Sequence, residues 1–285
     1  MTLAHSVVGP ESLWQTWNLA PLVLIGILLT AASYGRGILV LRRNRRSPGL
    51  RRVVCFYAGL LVVTGSIVSP LDALSASLFS AHMVQHLMLI LVGAPLLVFG
   101  APIVPMMLSL PRFARSVMRS IERVRVVDAA SRAVMKPLVV LALPSIVLWA
   151  WHLPSLYQAA LRDDGLHGVE HVTLVATAML FWALVIGRRR RRRLGYGPAI
   201  LLTFVTALQS AALGVVLTFA SAVLYPVHVG RAEAWGLSAL EDQQLAGAIM
   251  WIPAGIVYLG VMCALFAWWM RSMERPVTAG GEARP

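Results

Sequence analysis

Seven runs of about 17–27 mostly apolar residues, fenced by blocks of arginine, decide most of what this chain can become. They lie at roughly 18–41, 53–69, 76–100, 137–153, 167–187, 198–222 and 244–270. A helix rises about 1.5 Å per residue and a bilayer's hydrocarbon core is about 30 Å thick, so runs of this length suit membrane helices. The second and fourth, at 17 residues, are the shortest. With 58% hydrophobic and 13% charged residues, the composition excludes an ordinary soluble domain. The expected fold is all-α: one polytopic membrane domain over 1–285 with seven transmembrane helices.

The net charge of +13 could suggest nucleic acid, but its placement argues for a topology signal instead. Residues 42–52 carry six arginines, 111–136 carry six and Lys136, 188–193 carry six, and the tail after Met270 carries Arg271, Arg275 and Arg284. These blocks sit in alternate loops, while Arg162 and Arg231 are alone in the others. The positive-inside rule then predicts the N-terminus outside and the C-terminus in the cytoplasm. Segment 111–136 is too charged to span. Its Arg112, Arg115, Arg119 and Arg123 alternate with Phe113, Val117, Ile121 and Val124, the pattern of an amphipathic helix on the anionic inner leaflet. The tail 271–285 is expected to be disordered. The first 16 residues lack Lys and Arg, so no cleavable signal peptide is expected, and Trp14 and Trp17 read as interfacial residues. Cys55 and Cys263 form no CxxC pair, which argues against a thiolate metal site or a structural disulfide.

Topology turns sequence position into depth. His82 and His86 fall in the outer half of the third run, His152 at the outer end of the fourth, His167 and His171 at the outer start of the fifth, and His228 in an outer loop. His5 is in the outer tail. Asp72, Glu170, Asp242, Gln243 and Met250 lie at the same end. Polar groups at membrane depth are costly unless satisfied, so this concentration predicts an imidazole-rich chamber open to the outside. Histidines at i and i+4 share a helix face, because a turn takes about 3.6 residues. Two such pairs make two clamps, and imidazole is a common ligand for late first-row metals. His82, His86, His152, His167 and His171 are the candidate ligands. Glu170 or Asp242 could fix a ring tautomer, and Met83 and Met250 could offer thioethers to Cu(I). Asp72, His228 and Gln243 are auxiliary candidates.

Three stretches together resemble a known family: SPLDALSASLFSAHMVQHLMLILVGAPLLVFGAP, WHLPSLYQAAL followed by HGVEH, and LSALEDQQLAGAIMWIPAG. They are similar to the seven-span cytochrome c oxidase assembly factors, the caa3-type CtaG proteins, with the likeness covering about 65–270. The single-span copper protein that shares the name CtaG uses cysteines, and this chain has no matching pair. The resemblance implies a non-catalytic role in maturing a haem–copper oxidase at a bacterial plasma membrane. It also implies copper handled on the outer face and an oxidase subunit or another copper-handling protein as partner. Two other chemistries fit the residues. Facing imidazoles can hold haem b. HGVEH also matches the H-x-x-E-H pattern of zinc hydrolases, in which the glutamate serves as base.

Overall fold

The structure, a computed structural model, describes residues 8–45, 48–187 and 194–273. Among the described residues all regular elements are helical. In chain order they are α1 (Pro21–Arg43), α2 (Leu50–Val68), α3 (Pro70–Ser77), α4 (Phe79–Leu87), α5 (Ala94–Phe99), α6 (Ile103–Ser109) and α7 (Arg112–Arg123). There follow α8 (Arg125–Val134), α9 (Pro137–Trp151), α10 (Pro154–Ala160), α11 (Asp164–Val185), α12 (Tyr196–Thr218) and α13 (Ala239–Met273). Proline opens α1, α3, α9 and α10, where its missing N–H costs nothing. Asp163 caps α11 by accepting from Leu166 N at 2.8 Å.

Among the described residues six spans are long and apolar enough to cross a bilayer: α1, α2, the α4–α5 unit, α11, α12 and α13. The fourth expected run differs. Helix α9 has 15 residues, and it reaches spanning length only together with α8, across a 72° bend. The bend follows from Pro137, which holds Lys136 in an extended conformation. Segment 111–136 is two helices, not one, because the chain turns extended at Val124. The apolar side chains Phe113, Val117 and Ile121 of α7 are exposed. Helix α13 continues through Arg271 to Met273, so 271–273 are helical where a disordered tail is expected. Residues 274–285, the 188–193 arginine run and His5 lie outside the described residues.

The bundle is held by close backbone approaches. Helices α12 and α13 make the broadest contact. A Cβ on Gly247 would stand 2.5 Å from Thr218 N and 2.6 Å from Gly214 O. Helix α1 lies on α6, where a Cβ on Gly37 would fall 1.9 Å from Pro105 O. Small residues at crossings are how membrane helices gain dispersion contact when lipid is as apolar as they are.

Helices α4 and α5 are one span interrupted by a π-helical turn, Met88–Gly93. In an i→i+5 pattern the carbonyl of Ile90 would accept from the N–H of residue 95, which is proline and has none. Trp182 of α11 supplies the missing donor, its Nε1 reaching Ile90 O at 2.8 Å.

Candidate metal centre

Three helices bring the candidate ligands together at one end of the bundle. Helix α4 supplies His82 and His86, the end of α9 supplies His152, and α11 supplies His167, Glu170 and His171. Ring centroids are 4.2 Å apart for His82 and His86, and 4.3 Å for His167 and His171. The two pairs meet through His82–His167 at 5.5 Å and His86–His171 at 5.5 Å. His152 joins at 6.4 Å from His86. All five are buried, and Glu170 is completely so.

Glu170 is the focus of the cluster. Its Oε1 lies 3.4 Å from His82 Nε2 and 3.6 Å from His86 Nε2. Donor atoms of His82, His167 and Glu170 all fall within 4.8 Å of one another. Bonds of about 2.0 Å to a tetrahedral ion put neighbouring donors about 3.3 Å apart, close to the His82–Glu170 spacing. Among the described residues neither ring nitrogen of His86 has a hydrogen-bond partner, and Glu170 Oε2 has none. Buried polar atoms without partners are costly, and a cation would satisfy both kinds. The charge balance agrees. Among the described residues the buried acids are Asp72, Glu170 and Asp242, and no lysine or arginine is buried.

The chamber is less open than its histidine content predicts. It reaches the surface on one side, where His167 and His171 line a cleft of about 460 Å³ with Asp72, Asp164 and Trp17. On the other side a cavity of about 60 Å³ is lined by Met83, His86, His152 and Met250.

The auxiliary candidates divide. Met83 Sδ stands 3.4 Å from His152 Nε2. Asp72 accepts from Gln85 Nε2 and Asn18 Nδ2, both at 2.9 Å, and so ties α4 to α3 and to the segment before α1. Asp242 is bonded elsewhere than to the imidazoles: its carboxylate accepts from Phe79 N at 2.6 Å, Ser80 N at 3.1 Å and the Ser80 hydroxyl. It is the N-terminal cap of α4, supplied from α13. Gln243 accepts from Leu224 N at 2.7 Å and donates to Ala222 O, holding the loop after α12. His228 is bonded elsewhere than to the other imidazoles. Its Nδ1 donates to Ser77 O at 3.1 Å, and its Nε2 accepts from the Tyr157 hydroxyl at 2.8 Å. Burial holds the His228 ring neutral, lowering its pKa from 6.5 to about 4. Burial also raises the Tyr157 and Tyr225 hydroxyls above their ordinary range.

Two wall residues escaped the sequence reading. Tyr157 packs edge-on to His82 at 5.1 Å, and Tyr225 donates to His152 O at 2.7 Å. Tyrosine in an apolar run reads as an interfacial residue, so neither carried a signal of its own.

A helical membrane bundle closed around a buried cluster of imidazoles and one carboxylate defines the class. The chain belongs to the cytochrome c oxidase caa3 assembly factor family, Caa3_CtaG, whose model matches residues 32–272. It is similar to Uncharacterized protein Mb0105 of Mycobacterium bovis, 26% identical over 268 residues, which covers 91% of this chain and 40% of that protein. It is also similar to Uncharacterized protein ML1998 of Mycobacterium leprae, 24% identical over 271 residues, with 92% and 40% covered. The chain thus spans about 40% of the length of the curated relatives it matches. No solved structure matches.

Proposed function

We propose that the chain is a non-catalytic assembly factor for a haem–copper cytochrome c oxidase that takes copper as cargo at the histidine cluster and releases it to a client. The observation that carries this reading is Glu170, a fully buried acid facing His82 and His86 with no buried arginine or lysine among the described residues. Its family membership supplies the biological setting. His82, His86, His152, His167 and His171 hold the ion, with Glu170 offsetting its charge. Cargo must exchange, and a cluster touching a cleft at His167 and His171 leaves the ion a way in. The client is an oxidase subunit or another copper-handling protein.

The arginine blocks support a plasma-membrane orientation with the C-terminus in the cytoplasm and the cluster on the extracytoplasmic side. In that orientation α7 and α8 rest on the anionic inner leaflet. The tight ring spacings favour an ion over haem b, whose macrocycle must fit between its two imidazoles. Glu170 faces imidazoles in a fully buried position, which favours a donor over the water-activating base of a zinc hydrolase.

The purified full chain should retain copper, and the double variant His82→Ala/His86→Ala should retain far less. Undiminished copper in the double variant sinks the proposal. A Soret band from the untreated protein would move the reading to haem.

A further inference from the structure

Resting on that reading, we propose that the chamber is two subsites. Met83 and His152 form a soft one, selective for Cu(I), beside the harder set of His82, His167 and Glu170.

The reason lies in the protons. His152 Nδ1 is 2.7 Å from Leu148 O, and a carbonyl oxygen only accepts, so Nδ1 carries the hydrogen. In the neutral ring Nε2 is then a bare lone pair. It points at Met83 Sδ, 3.4 Å away, and a thioether has no hydrogen to offer either. Two electron-pair donors thus face each other with no proton between them. Both residues are buried.

An ion resolves the arrangement. With bonds of about 2.0 Å to nitrogen and about 2.3 Å to sulfur, donors 3.4 Å apart subtend about 100° at a shared metal, near the tetrahedral angle. Thioether sulfur selects Cu(I) over harder ions. The neighbours agree, since Met250 and His86 line the same cavity of about 60 Å³. His86 also stands between the subsites, its ring 4.2 Å from His82 and 6.4 Å from His152. The harder set contains the carboxylate and includes His167 on the cleft. An ion arriving from the cleft therefore meets oxygen and nitrogen first and sulfur last.

The test uses the full chain in detergent, with Cu(I) and Zn(II) titrated separately against chromophoric chelators. Met83→Leu conserves volume and spares the fold. It should weaken Cu(I) binding about tenfold or more and leave Zn(II) unchanged. X-ray absorption of the Cu(I)-loaded wild type should show a sulfur neighbour at about 2.3 Å that Met83→Leu removes. His82→Ala should do the converse, weakening Zn(II) while the sulfur signal persists. Unchanged Cu(I) binding in Met83→Leu, equal loss of both ions, or no sulfur neighbour in the wild type each overturns the soft subsite. Zn(II) binding untouched by His82→Ala counts against the histidine site itself, independently of the Met83 result.

Discussion

Replacing Asp242 by alanine should loosen the helix that carries His82 and His86. The Asp242 carboxylate accepts from Phe79 N, Ser80 N and the Ser80 hydroxyl, at the first turn of α4. An N-cap acid in water is worth about 1 kcal/mol. Here the helix end is buried, and each stranded donor costs about 1–3 kcal/mol. The hydroxyl can rotate to another acceptor, so the two N–H groups dominate, and the loss should be on the order of 3 kcal/mol. Asn, which keeps one oxygen, should cost about half of that. Reversible unfolding in mixed micelles, followed by far-ultraviolet circular dichroism, measures both variants against wild type. Copper retention should fall in the same order, because the first imidazole lies one turn beyond the cap. An Asp242→Ala protein within about 0.5 kcal/mol of wild type would refute the reasoning, since surface substitutions of no consequence fall in that range.

Gly247→Ala should force α12 and α13 apart, because its Cβ would meet backbone at 2.5 Å and 2.6 Å; a cost of about 1–3 kcal/mol should appear as a lower melting temperature. Acid should destabilise the chain through His228. Its ring titrates at about 4 when folded and 6.5 ordinarily, so the unfolded chain binds more protons between those values. Stability is therefore full above pH 6.5 and lost as pH falls toward about 4, by about 3 kcal/mol in all. His228→Gln should flatten the pH profile across that window, as unfolding midpoints at several pH values would show.

Much of the cluster was legible because it rests on two local rules. Apolar run length places six of the seven expected spans, and i, i+4 spacing puts His82 with His86 and His167 with His171 on common faces. Reading depth from the arginine pattern then groups His152 with them. Features set by distant pairings were not legible. Asp242 caps a helix 163 residues away, so near a histidine motif it reads as a candidate for the site. The π-helical turn depends on Pro95 and on Trp182 of another helix. The shortness of α9 follows from Pro137, a local signal, but apolar composition alone conceals it. How far a chamber is closed depends on how rings such as Tyr157 and Tyr225 pack, which periodicity does not encode.

The π-helical turn at Met88–Gly93 also acts as a phase shifter. One surplus residue in a turn rotates everything beyond it by about 100° relative to an unbroken helix. The half before it aims His82 and His86 toward α11, while the half after it sets Leu97 against Gly59 of α2. Deleting one residue there would swing the two halves out of step, so the span could aim its imidazoles or dock on α2, but not both at once.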